Sequence, residues 1–208
     1  DQLVRAGNSV PLKIVATNTE GEPFPGAVKV TATLTREVNS AVKTRTDSGA
    51  TATRNDVTEE TIVTSELTLD PAASAGQGTP FTVTPKSNGL HFLTLRGTDP
   101  DGRAFATVTR FHVYGTNDYP WLYEDGLRVK LVAEKKSYKP GETARVLVLS
   151  PIEGTALVTV EREKVLRSFQ VELKADKPVI EIPITEEDAP NAFVSILIIK
   201  GAKESARD

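Results

Sequence analysis

Side-chain catalysis needs a nucleophile, a tuned acid or base, or a metal ligand beside a partner, and this 208-residue chain is poor in all three. It contains no cysteine, which removes thiolate nucleophiles, disulfides, thioesters and Cys-ligated zinc. The two histidines, His91 and His112, lie inside alternating segments with no acidic residue at a recognisable spacing, and read as ordinary strand residues. Ser150 and Ser195 sit in no Gly-x-Ser-x-Gly elbow, and the hydroxyl of Ser195, inside an apolar run, suits a backbone bond. Glu186-Glu187-Asp188 and the pair Asp99 and Asp101 lack the Asp-x-Asp-x-Asp-Gly spacing that wraps a chain around calcium. The first reads as a solvated loop and the second as part of a hairpin turn. Ala75-Gly76-Gln77-Gly78-Thr79 has two glycines but opens no helix whose amides could hold a phosphate. The expectation is a chain without catalytic residues, metal site or cofactor.

Two groups of residues remain. Tyr114, Tyr119, Trp121 and Tyr123 gather aromatic rings that could stack on a sugar, or could wedge two domains at a fixed angle. Lys135, Lys136 and Lys139 flank a turn with Glu134 and Glu142 beside them, which reads as a solvated edge. Over the whole chain 25 Lys+Arg face 28 Asp+Glu, a net charge of −3, so the positive excess that duplex binding requires is missing. No apolar run approaches the roughly 20 residues that span a bilayer as a helix. Methionine is absent, and a chain opening Asp1-Gln2-Leu3-Val4 is expected to have been processed or cut from something longer.

The elements that must carry these residues are strands. Threonine makes up about one residue in eight, and Val, Ile, Leu and Phe alternate with polar residues, the pattern of half-buried pleated strands. Alternation runs through Val10-Leu12-Ile14-Ala16, Val28-Val30-Ala32-Leu34, Phe81-Val83, Leu93-Leu95 and Phe105-Thr107-Thr109-Phe111-Val113. Asp99-Pro100-Asp101-Gly102 makes the last turn between them. Residues 41–75 are rich in Ser, Thr, Gly, Asp and Asn and read as long loops, with room for one strand across Glu60 to Leu69. Around Tyr114-Gly115-Thr116-Asn117-Asp118-Tyr119-Pro120-Trp121 the alternation stops. A second strand series follows: Leu127-Val129-Leu131-Ala133, Ala144-Val146-Val148, Ala156-Val158-Val160, Phe169-Val171-Leu173, Ile180-Ile182-Ile184 and Phe193–Ile199. The expected architecture is all-β, two tandem fibronectin-III-like sandwiches over 1–115 and 127–208, joined by a linker over 116–126.

The halves repeat one another. Leu3-Val4-Arg5-Ala6-Gly7-Asn8-Ser9-Val10-Pro11-Leu12-Lys13-Ile14 lies over Ser137-Tyr138-Lys139-Pro140-Gly141-Glu142-Thr143-Ala144-Arg145-Val146-Leu147-Val148, matching basic residue, turn glycine, hydroxyl residue and apolar alternation. A strand precedes this turn in the second copy but not in the first, so the first copy is expected to lack its opening strand. Phe193–Ile199 is apolar on both faces, as a central strand would be, yet only a polar tail follows. The second copy is expected to lack its closing strand, leaving an edge that is unpaired or borrows a partner.

The segment Glu134-Lys135-Lys136-Ser137-Tyr138-Lys139-Pro140-Gly141-Glu142-Thr143-Ala144 resembles the macroglobulin-type domains of the α2-macroglobulin family, particularly its bacterial branch. Ser150-Pro151, Gly154-Thr155-Ala156-Leu157-Val158-Thr159-Val160-Glu161-Arg162-Glu163, Ile180-Glu181-Ile182-Pro183-Ile184-Thr185 and Ala189-Pro190-Asn191-Ala192-Phe193-Val194-Ser195 extend the likeness. The first half resembles the preceding macroglobulin domain more loosely, through Arg5-Ala6-Gly7, Gly21-Glu22-Pro23 and Asp101-Gly102-Arg103. The resemblance implies a piece of a broad-range protease inhibitor whose sandwiches frame a cleavable bait segment, with neighbouring domains and target proteases as partners, no nucleic acid, and a possible inner-membrane tether elsewhere. It also implies a periplasmic or cell-envelope location. Within it, Tyr138, Lys139, Pro140 and Gly141 are expected to be structural, turning the chain tightly between strands, while Tyr119, Trp121 and Tyr123 are candidate interdomain contacts. The alternative is an Ig-like stalk or carbohydrate-binding module of a surface adhesin, which sugar binding lost on Trp121→Ala would favour.

Overall fold

The computed structural model describes residues 2–45, 51–71, 77–99, 101–117, 129–150 and 152–199, with backbone alone at 41–44 and 51–55. Tyr119, Trp121 and Tyr123 therefore lie outside the described residues. The chain divides into two compact units, Gln2–Tyr114 and Gly115–Asp208. The described residues form strands and one short 3₁₀ turn, an all-β protein built of sandwiches.

In the first unit β1 (Gln2–Arg5), β3 (Val28–Arg45), β4 (Thr51–Leu69), β6 (Gly89–Thr98) and β7 (Ala104–Tyr114) make one sheet in the order β1-β7-β6-β3-β4. Facing it, β2 (Val10–Ile14) pairs with β5 (Thr79–Val83). Alternate residues of both sheets meet in the core, where Val10, Ile14, Val30, Leu34, Leu93, Phe111 and Val113 are buried. Strand alternation delivers this directly, since side chains two apart share a face. His91 and His112 are buried in the same unit, and the His91 ring stacks on Phe111 with centroids 5.7 Å apart. Its Nδ1 lies 3.2 Å from the Gly89 carbonyl oxygen. Burial pushes the His91 pKa down, because the charged ring would be taken out of water.

Two features depart from the sequence reading. Residues 41–75 are not chiefly loops: β3 and β4 pair continuously from Val28↔Leu69 out to Arg45↔Thr51. Pairing of β3 with β6 ends at Arg36↔His91, so 37–45 and 51–59 continue as a ribbon with no third strand among the described residues. A ribbon outside the described hydrophobic core needs no apolar alternation, and its polar composition therefore looked like loop. A register shift beside Leu34/Thr35 leaves Ile62 as an extra residue where the ribbon departs, a bulge that bends the strand. The second feature is β1, which runs parallel to the end of β7 from Gln2↔Phe111 to Arg5↔Tyr114 and buries Leu3 and Val4. Four residues are too few for alternation to announce.

In the second unit β12 (Val179–Pro183), β9 (Thr143–Leu149) and β8 (Lys130–Ala133) form one sheet. The facing sheet has β11 (Val165–Leu173), β10 (Gly154–Glu161) and β13 (Phe193–Ile199). Val146, Val148, Ala156, Val158, Val160, Ile180 and Ile182 make its core. Among the described residues β13 pairs only with β10, and Phe193, Leu197 and Ile199 are exposed on its outer face. Both faces of the strand are apolar, yet it stands at an edge.

Candidate functional site

The turn over Tyr138, Lys139, Pro140 and Gly141 is built from local bonds. Gly141 has φ +89°, a value side-chain-bearing residues rarely adopt, and a Cβ there would meet nothing within 4 Å. Backbone conformation, not space, therefore demands the glycine. Its N–H donates to the Ile184 carbonyl at 2.9 Å, and the Glu142 N–H returns to the Lys139 carbonyl at 3.0 Å. The Tyr138 ring rests on the core of the second unit while its hydroxyl accepts the Lys135 N–H at 2.9 Å. Glu142 closes the turn, its Oε2 accepting the Lys139 N–H at 2.8 Å and its Oε1 the Lys135 ammonium at 2.9 Å. That ammonium also lies 5.6 Å from the centre of the Tyr138 ring. The Lys139 N–H, and after it Lys135, hold the Glu142 carboxyl below the usual range, and Glu142 raises the Lys135 pKa in return.

The first unit makes the same turn. Gly7 has φ +85°, its N–H donates to the Pro85 carbonyl at 2.8 Å, and the Asn8 N–H returns to the Arg5 carbonyl at 3.0 Å. In both copies the glycine ties the turn to the chain leaving the neighbouring strand, β5 in one and β12 in the other.

The acidic group at 186–188 has a different role from the solvated loop expected. Glu186–Asp188 forms a 3₁₀ turn, and Asp188 is buried. Arg167 of β11 reaches its carboxylate with both terminal nitrogens, Nη1 to Oδ1 at 2.7 Å and Nη2 to Oδ2 at 2.8 Å. Oδ2 also accepts the Thr185 N–H at 2.8 Å, and Nη2 donates to the Pro183 carbonyl at 2.7 Å. Arg162 adds a bond from Nη1 to the Ala189 carbonyl at 2.6 Å. Two arginines from the β10–β11 region thus clamp the connection that carries the chain from β12 to β13, binding one sheet's exit to the other sheet's hairpin. The paired guanidinium holds the Asp188 carboxyl below its ordinary value, and Asp188 raises the Arg167 pKa. Sequence reasoning missed the clamp, although Thr185-x-x-Asp188 is a helix-capping pattern that marked Asp188 as a structural acceptor.

Among the other sequence candidates, the Ser150 hydroxyl donates to the Ile152 carbonyl at 2.9 Å, which occupies its proton. Ser195 lies on the exposed face of β13. Asp99 accepts the Arg103 N–H at 2.8 Å on Oδ1 and the Arg103 side chain at 2.8 Å on Oδ2, a turn lock that Asp101 reinforces from the other side of the guanidinium. No group of three or more His, Asp or Glu side chains is placed to hold a metal among the described residues. The structure brings together Tyr138, Lys139 and Gly141, with Lys135 and Glu142, and the constellation can fix chain direction but presents no reacting atom.

Residues 129–208 match the α2-macroglobulin bait region domain. Over 202 residues, 97% of the chain, the sequence is 26% identical to an α2-macroglobulin homolog of Nostoc sp.. The sequence likeness is to the α2-macroglobulin family, by the family model over residues 129–208 and by the Nostoc relative along most of the chain. Over 167 residues it is 25% identical to the α2-macroglobulin of Pasteurella multocida, and over 79 residues 30% identical to that of Xylella fastidiosa. The chain spans 10% of the Nostoc relative and 8% of the Pasteurella one. Among solved structures, Salmonella α2-macroglobulin reacted with methylamine overlays with a TM-score of 0.40 and 20% identity, covering 99% of this chain and 12% of that one. The native conformation of Escherichia coli α2-macroglobulin overlays at 0.42 with 18% identity, covering 96% and 13%. The likeness rests on sequence and not on these loose overlays.

Proposed function

We propose that the chain is a frame segment of a bacterial protease inhibitor of the α2-macroglobulin type, performing no catalysis itself. The observation that carries this reading is the match of residues 129–208 to the bait region domain. Its strands β8 to β13 form a bonded scaffold of the kind that holds a cleavable segment and neighbouring domains in place until a protease cuts. The location that goes with this role is the periplasm or cell envelope, and the partners are the rest of the inhibitor and the proteases it traps. Asp99, Ser150 and Asp188 are each engaged in a turn or a clamp.

The chain by itself is expected to leave trypsin-class and other endopeptidases fully active and to turn over no ester, glycoside or peptide substrate. Strong inhibition by the isolated chain would overturn the frame assignment. The constructive test exchanges the matched 202 residues of the Nostoc relative for this chain and measures protease capture. Retained capture supports the frame role, and a folded chimera that no longer captures protease refutes it.

A further inference from the structure

Register partners across a sheet share a face, and one row crosses all five strands of the first unit's larger sheet: Glu60, Arg36, His91, Phe111 and Gln2. The row stands where β3 and β4 leave the sheet as a ribbon, because Arg36↔His91 is the last pair between β3 and β6. Within it the His91 ring is 0% exposed and lies nearly flat on Phe111, with 10° between the ring planes. The Gly89 carbonyl, 3.2 Å from Nδ1, can only accept, so the neutral ring carries its proton on Nδ1. Nε2 has no hydrogen-bond partner among the described residues. A proton arriving there finds no acceptor and puts a second cation in the row beside Arg36, whose side chain is 15% exposed. Glu60, 4.0 Å from Arg36, faces them from β4 and offsets part of that charge, but its own side chain is 61% exposed. From β7 comes the uncharged ring of Phe111, and the facing strands β2 and β5 carry no titratable side chain except the exposed Lys13.

We propose that His91 is an acid-sensitive latch: at mildly acidic pH its protonation drives the ring off Phe111 and opens the first unit from the root of the ribbon. The row sets the direction of opening. Pairing of β3 with β6 has no further pair beyond Arg36↔His91, so loss of this one spreads inward toward Leu34↔Leu93. Burial holds the folded His91 below the ordinary histidine value of 6.5, so under that pH the unfolded chain binds the extra proton. The stability that rests on the neutral ring is complete above the ordinary value and is lost as pH falls through the folded one. Both histidines of the sequence, His91 and His112, belong to the first unit, so the second has no imidazole with which to respond. This latch is independent of the frame reading, which gives pH no role.

The test follows amide exchange in the full 208-residue chain from about pH 7.5 to about pH 5.5, corrected for the intrinsic pH dependence of exchange, and reads the His91 ring by nitrogen NMR. Protection of the amides of 30–36 and 91–95 is expected to fall about five- to tenfold over this range. That of β9 and β10 should stay within about twofold, an internal control in the unit without histidine. His91→Phe keeps a ring against Phe111 but has no proton site, and is expected to shrink the first unit's fall at least about threefold. In the native protein at about pH 6 the His91 ring is expected to remain neutral, with its proton on Nδ1. An undiminished fall in His91→Phe, or no fall in the native protein, would overturn the proposal. So would a His91 that gains its proton at the ordinary value while the amides of 30–36 stay protected. If His91→Phe does not fold, the ring titration and amide exchange of the native protein decide by themselves. Because no readout involves a protease, failure here is distinguishable from failure of the inhibitor reading.

Discussion

At the scale of single residues, stability is concentrated where the backbone or a charge has no alternative. Gly141→Ala forces φ +89° on a residue with a Cβ and is expected to cost about 1 kcal/mol in urea unfolding, as is Gly7→Ala at φ +85°. Gly97→Ala acts differently: its Cβ would lie 2.7 Å from the Lys29 carbonyl oxygen, a backbone atom that cannot swing away, and the expected loss is larger, about 2–3 kcal/mol. Arg167→Ala leaves Asp188 buried without its bidentate partner and is expected to cost about 2–3 kcal/mol. The pH dependence follows from linkage. The Asp188 carboxyl is held below its ordinary value of 3.8 in the folded protein, so at pH values just under that point the unfolded chain binds more protons. The pair's contribution is complete above the ordinary value and is lost as pH falls through the folded value. Acid titration of unfolding free energy should show this loss in the native protein and a shallower slope in Asp188→Asn.

At the scale of elements, the ribbon formed by 37–45 and 51–59 has two strands and, among the described residues, none in the hydrophobic core, an arrangement that is marginal in isolation. Its amides are expected to exchange orders of magnitude faster than those of 28–34, and replacing 38–58 by a two-residue turn that closes on the Glu37↔Glu59 pair should leave the melting temperature of the first unit within about 4 °C. Exchange as slow as in the sheet would mean that something covers the ribbon. The same element shows where sequence reading stops. Val28, Val30, Ala32 and Leu34 announced β3 because one face is buried, and the signal ended where burial ended, although the strand did not. The paired turns at Gly7 and Gly141 were legible because positive φ selects glycine whatever surrounds it. The Arg167–Asp188 clamp was not, since its partners are 21 residues apart and only the fold brings them together. The short β1 was hidden for a related reason, as its stability comes from β7 more than a hundred residues later.

At the scale of the whole molecule, the two units are one design with different edges. Among the described residues the first has a five-stranded sheet and a two-stranded cover, while the second has three strands in each sheet. An apolar edge such as β13 invites association, so Leu197→Lys, on its exposed face, is expected to reduce any self-association seen by sedimentation without lowering stability. The parallel pairing of β1 with β7 has a further meaning when the chain is placed under tension. Tension entering at Gln2 and leaving at Tyr114 pulls these strands in opposite directions along their length, so the four register pairs from Gln2↔Phe111 to Arg5↔Tyr114 are loaded together and not peeled one by one. In the second unit the first and last described strands, β8 and β13, belong to different sheets, and no such lock joins them. Single-molecule stretching should therefore give two rupture events of unequal force. The stronger belongs to Gln2–Tyr114, making the first unit the part that keeps its shape when the chain is pulled.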